Sequence, residues 1–279
     1  QAVADLVDRD AISEQVYKGT YTPLYSYVPE GFSGATEALK GLYGDGNGGP
    51  DAAKAKATLE AAGVTTPVKL SLQYSPDHYG PSSGDEYALV KSQLEKDGLF
   101  QVDLQSTEWV QYSKDRTADV YPAYQLGWFP DYSDADNYLT PFFLKENFLG
   151  NHYDNTEVND LILKQAVEPD AATRKADIEK IQDLVANDLS TVPLLQGAQV
   201  AVVGTQGVRE GRAVDIGPGL GLRGLQRPCG QAHVVQQPTL PVFRTCVSRH
   251  SPSFPVPAAP GAARPDADRF MVGVPTRSR

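Results

Sequence analysis

Along the first 208 residues the apolar positions switch repeatedly between two periods. Val3, Leu6, Val7 and Ile12 recur at helical spacing, with Val16 one turn beyond Ile12, so a helix is predicted to be under way from the first residue. An irregular segment rich in tyrosine and proline, "YTPLYSYVPEG", follows. The Gly-rich run "GDGNGGP" reads as a loop, and its Pro50 marks the start of a helix over about 51–62. "VKLSLQYS" alternates with period two and predicts a strand. "DEYALVKSQLEKDG" is an amphipathic helix closed by Gly98. A second alternating strand, "FQVDLQS", a short helix, "TEWVQYSKDR", and an apolar strand, "YPAYQLGW", come next. Two further helices are predicted in "TEVNDLILKQAV" and "TRKADIEKIQDLVANDL", before the apolar stretches "VPLLQ" and "AQVAVVG". Strands that alternate with helices predict a layered α/β domain. No internal repeat is visible.

Composition divides the chain near Val208. All 14 tyrosines lie between Tyr17 and Tyr153, the tryptophans are Trp109 and Trp128, and the last lysine is Lys180. From Arg209 onward there are ten arginines, ten prolines, four acids and both cysteines, Cys229 and Cys246. Residues 1–208 thus carry about −16 and residues 209–279 about +6, within a net charge of −10. A Lys-free stretch rich in Arg, Pro, Gly and Ala is what an unrelated reading frame of GC-rich DNA encodes. Residues 209–279 are therefore expected to be an irregular, aberrant tail produced by a frame shift; the rival is a genuine basic, Pro-rich disordered extension. The acidic balance of the body argues against a nucleic-acid partner. No run approaches the ~18 apolar residues of a membrane span. The opening "QAVADLVDRD" has no initiator Met, basic region or apolar signal core, so the chain is expected to be a piece of something longer.

Motif chemistry is sparse. Gly44, Gly46 and Gly49 fit G-x-G-x-x-G, as do Gly219, Gly221 and Gly224, but neither set has the strand, helix and distant acid of a dinucleotide site. Both read as loops. In "LGWFPDYSDADNY", Asp131, Asp134 and Asp136 are spaced three then two. A calcium loop wants oxygen ligands at alternate positions and a glycine at the sixth, which here is Asp136. The body offers only His78 and His152 and no cysteine for a transition metal. No metal or cofactor is expected. "SDAD", Ser133 to Asp136, matches a capping box, with Ser133 as the cap of a following helix. That account covers Asp134 and Asp136. Asp131 is left at the end of a predicted strand, where α/β layers hold ligands. A carboxylate-dependent hydrolase remains the alternative reading at this point, since paired acids can cut glycosides.

The segments "EWVQYSKDR…YPAYQLGWFPDYSDADNY", "QAVADLVDRDAISEQVYKGTYTPLYSYVPEG", "NHYDNTEVNDLILKQA" and "ADIEKIQDLVANDLSTVPLLQ" together resemble the peptide- and oligopeptide-binding proteins of ABC importers, extracytoplasmic solute-binding protein family 5. The resemblance is colinear from residue 1 to about residue 204. It implies an α/β lobe of the type II periplasmic-binding-protein kind, a mixed sheet flanked by helices, and specifically the second of two lobes that close on an extended peptide. It also implies a substrate-binding protein that is not an enzyme, a monomer at the cell surface or in the periplasm whose partners are a peptide ligand and membrane permease subunits. By position, Asp131 matches the carboxylate that holds the peptide's α-ammonium group. Trp128 matches a tryptophan lining the cleft, Trp109 a second cleft aromatic, and Arg116 a basic residue near the ligand in some members. Gln125 stands where some oligopeptide binders have an arginine. Oligosaccharides and nickel complexes are further ligand classes of the family.

Overall fold

The computed structural model describes residues 1–197 and the backbone of three later strands, β5 (Val202–Val203), β6 (Val235–Gln237) and β7 (Leu240–Arg244). All of them belong to the first of the chain's two units, Gln1–Cys246. Strand β7 pairs antiparallel with β6 and parallel with β5. The rest of the expected tail, the second Gly-rich run included, lies outside the described residues.

The predicted first helix is two helices, α1 (Ala2–Leu6) and α2 (Arg9–Gln15). Val7 is extended, and the Asp8 carboxylate accepts the Ala11 N–H at 2.8 Å, so an N-cap restarts the helix where the apolar period alone runs on. After β1 (Thr22–Pro23) and α3 (Ala38–Leu42), the "GDGNGGP" run is a loop, as read. Gly44 is indispensable to it: its φ is +59°, and a Cβ there would lie 2.0 Å from the Gly49 carbonyl oxygen. Asp51 then caps α4 (Ala52–Ala61) through the Lys54 N–H.

Strands β2 (Val68–Tyr74) and β3 (Phe100–Ser106) are parallel in register Val68 to Phe100, joined by the crossover helix α5 (Ser83–Glu95). Leu72, Val90, Leu94, Phe100 and Val102 meet Leu6, Ile12 and Ala55 in a first apolar core. Past α6 (Trp109–Thr117), a 3₁₀ turn (Ala135–Tyr138), α7 (Thr140–Phe143), α8 (Thr156–Val167) and α9 (Ala171–Asp188) build a second. Val158 and Ile162 of α8 face Ile178, Ile181 and Val185 of α9 around Phe143, each pair or triplet at helical spacing. Finally β4 (Leu195–Gln196) returns to pair antiparallel with β1. The described strands thus form three separate small sheets, β1–β4 antiparallel, β2–β3 parallel and β5–β7–β6 mixed, in place of one mixed sheet.

The apolar strand expected in "YPAYQLGW" does not form. It touches β2 at a single parallel bridge, Gln73 to Tyr124. Pro122 has no N–H to give a ladder, and the Gln125 carbonyl is taken by the Tyr112 hydroxyl at 2.6 Å. The segment therefore crosses irregularly from the first core, where Ala123 packs, to the second, where Trp128 packs.

The fully buried Phe143 and Ile181 set the scale of the second core. Phe143→Ala is expected to cost about 3–5 kcal/mol and Ile181→Ala about 2–5 kcal/mol in urea unfolding. Val167→Ala, at an 80% exposed position, should stay within about 0.5 kcal/mol. Equal losses at all three positions would contradict this core.

Candidate functional site

Residues 123–131 are held by one backbone bridge to β2 and, beyond it, by side chains. The Gln73 N–H donates to the Ala123 carbonyl at 3.0 Å, and the Gln125 N–H returns to the Gln73 carbonyl at 2.8 Å. Gln125 itself is buried, its side chain accepting from the Ser75 N–H and donating to the Ser83 hydroxyl, both at 3.1 Å. It is a structural clamp and faces no solvent. Two residues on, Gly127 leaves room for the Tyr79 ring, which a Cβ would meet at 2.6 Å.

Beyond Gly127 the chain presents Trp128 and Asp131. Trp128 is half-buried, edge-on to Phe142 at 5.2 Å and to Phe148 at 6.0 Å. Its indole Nε1–H donates to the side-chain oxygen of Asn137 at 3.0 Å, and the backbone N–H of Asp131 donates to that same oxygen at 3.0 Å. Asp131 is exposed, and among the described residues its carboxylate has no hydrogen-bond or ion-pair partner. Its chain neighbours Phe129 and Tyr132 are 68% and 48% exposed, and Phe148, 6.0 Å from the Trp128 ring, is 77% exposed.

The other two aspartates point elsewhere, so the three do not form a shared cation site. Asp134, not Ser133, caps the 3₁₀ turn, accepting the Asp136 N–H at 2.9 Å. The residue one position later wins because its carboxylate is also gripped from both sides by Arg174, at 2.7 and 2.8 Å. The guanidinium holds the Asp134 carboxyl below the usual carboxylate range. Asp136 accepts from the Thr140 hydroxyl at 2.7 Å and from the buried Gln165 amide.

Trp109 and Arg116, both expected at the ligand, occupy a separate setting. Trp109 stacks flat on His78 at 3.5 Å and stands edge-on to Tyr79 at 5.5 Å. It reaches the Trp128 segment through Tyr79, which packs on Gly127, and through Tyr112, 5.9 Å away ring to ring, whose hydroxyl donates to the Gln125 carbonyl. Arg116 donates to the Leu149 carbonyl at 3.0 Å and lies 6.0 Å from the Tyr124 ring centroid, tying α6 to the loop that carries Phe148. His152 reinforces the tie through Asp119 at 2.7 Å. Asn137, Phe129, Tyr132 and Phe148 were not singled out in the sequence; the one available signal was the proximity of Asn137 to the aspartate cluster.

A cleft of about 870 Å³ runs between the two cores. Trp128, Phe129 and Pro130 form part of its wall, with Tyr27, Tyr138 and Phe142 from the second core and Leu72 and Val90 from the first. Asp131, Trp109 and Arg116 are outside that lining.

The architecture is that of a lobe of the type II periplasmic binding proteins. It superposes on a dipeptide-binding protein from Pseudoalteromonas sp. SM9913 solved with Met-Leu (TM-score 0.62, 23% identity, 70% of this chain and 38% of that one). It also superposes on the binding protein DppA from Helicobacter pylori solved with the peptide STSA (TM-score 0.61, 23% identity, 70% and 37%). Residues 1–150 match the family described as bacterial extracellular solute-binding proteins, family 5, middle region, and the chain belongs to that family. It is 24% identical over 203 residues to the dipeptide-binding protein DppE of Bacillus subtilis and 26% identical over 145 residues to the dipeptide-binding protein of Escherichia coli. The matches cover 70% and 51% of this chain, but 36% and 26% of those relatives' own lengths.

The Asp134–Arg174 pair gives a signed pH test. A folded pKa below the unfolded value near 3.9 contributes stability above that pH and loses it as pH falls through the folded value. Asp134→Asn retains the oxygen that accepts from Asp136 but removes the charge. It should lower stability by about 1 kcal/mol at pH 7, since the pair is partly exposed. The gap from wild type should close below about pH 4. A gap that stays constant from pH 7 to pH 3 in denaturant titrations would show that the charge contributes nothing.

Proposed function

We propose that this chain is the ligand-gripping lobe of the peptide-binding component of an ABC importer, and that Asp131 takes the α-ammonium group of the bound peptide. Family membership and the peptide-binding relatives support the class. The observation that carries the residue is the Asp131 carboxylate, exposed and unpartnered among the described residues, on a segment tied to Trp128 through the Asn137 oxygen and flanked in sequence by the exposed Phe129 and Tyr132. The acid offers charge to an ammonium group, and the aromatic faces add attraction for a cation and surface for an apolar side chain. A carrier of varied peptides gains by fixing the amine and backbone, which all peptides share. No bond in the ligand is broken, so the protein acts as a carrier and not as an enzyme. It works outside the cytoplasmic membrane and hands its ligand to membrane permease subunits, with ATP hydrolysed on another subunit.

Magnitudes decide what each form of the protein can do. An ammonium–carboxylate pair open to water is worth about 0–1 kcal/mol, far short of the ~8 kcal/mol of a micromolar complex. A second lobe that closes over the pair removes water and strengthens it. The lobe alone is therefore expected to bind free-amine dipeptides more weakly than about 1 mM in calorimetry; micromolar affinity would refute this account. In a full-length family member carrying this lobe, Asp131→Ala should weaken free-amine dipeptides by ~100-fold or more, because the ligand's charge is then buried unpaired. N-acetylated dipeptides should bind wild type as poorly. If acetylation changes nothing, Asp131 is not the amine's partner.

A further inference from the structure

Asn137 is 2% exposed, and its one side-chain oxygen serves two donors on a different stretch of chain, the Trp128 indole and the Asp131 backbone, each at 3.0 Å. The residue is itself immobilised from several directions. It lies in the 3₁₀ turn Ala135–Tyr138 that Asp134 caps, and Arg174 of α9 grips Asp134 with two hydrogen bonds. Arg174 also donates through Nε to the Gln165 carbonyl of α8 at 3.1 Å, and Gln165 donates to Asp136. The neighbouring Leu139 is fully buried in the second core. A rigid pair of helices thus ends in a single amide oxygen aimed at an irregular segment that has no ladder of its own past Gln125.

We propose that Asn137 is the positioning residue of this site: its oxygen sets the Trp128 wall and the Asp131 acid as one unit, and the packing of α8 and α9 fixes where that unit points. That Asp131 meets a ligand rests on the function proposed above; the coupling of the two groups through Asn137 does not. Deleting the amide leaves two donors without their acceptor, which is costly wherever burial keeps water away. Trp128 and Asp131 then lose their common reference, and a site built on their spacing loosens even though neither residue has changed.

The chain has two tryptophans, so a ¹⁵N-labelled sample shows two indole N–H resonances, assigned with Trp109→Phe. In wild type, the Trp128 indole and the Asp131 amide should both exchange with solvent at least ~10-fold more slowly than in an unstructured peptide. Asn137→Ala should remove the protection of both while the Trp109 indole stays in place, and Asn137→Asp, which keeps an acceptor oxygen, should restore it. Unprotected groups in wild type would overturn the proposal without recourse to any variant. So would Asn137→Ala that leaves both groups protected, or that affects one and not the other. Asp131→Ala keeps the backbone N–H, so its indole should remain protected. Failure of amine capture would therefore refute the ligand assignment while leaving this result intact.

Discussion

Everything at the candidate site depends on one constraint: an irregular stretch of backbone, residues 123–131, must have its polar groups satisfied with no more than a single bridge to a strand. Gln73 serves it at one end, Tyr112 takes the Gln125 carbonyl in the middle, and Asn137 receives the Asp131 N–H at the other end. These donors and acceptors come from β2, α6 and the 3₁₀ turn, so the stretch is positioned by three elements at once. A regular strand would have directed its side chains to alternate faces. The irregular path instead allows Trp128 to pack on the second core while Asp131 stays in water.

The separation of the three neighbouring aspartates follows from the same economy of partners. Asp134 is committed to Arg174, and Asp136 to Thr140 and Gln165. Both accept from donors that are partly or fully buried. Asp131 alone has no such obligation among the described residues. A free carboxylate beside aromatic surface is a poor structural device, since it adds nothing to folding stability, and a good device for meeting a cation.

Trp109 and Arg116 are built into the frame that surrounds the Trp128 segment. Trp109 sits in a stack with His78 and Tyr79, and Arg116 is a strut between α6 and Leu149. Both support the segment around Trp128 from behind, through Tyr79 against Gly127 and through the loop that carries Phe148.

The sequence by itself determined the elements whose signals are local. Period-two alternation marked β2 and β3, and helical spacing marked α5, α8 and α9 within a few residues of their observed ends. It also singled out Asp131 by elimination, once a cap explained its neighbours. Where it misjudged, longer-range competition decided. The helix through Val7 breaks because Asp8 caps a new one, and "YPAYQLGW" makes no strand because its carbonyl finds a hydroxyl from α6. The cap moved from Ser133 to Asp134 because Arg174, 40 residues away, holds the carboxylate. The role of Asn137 was invisible for the same reason: a hydrogen bond whose donors and acceptor meet only when two cores pack against one chain segment leaves no period and no spacing to read.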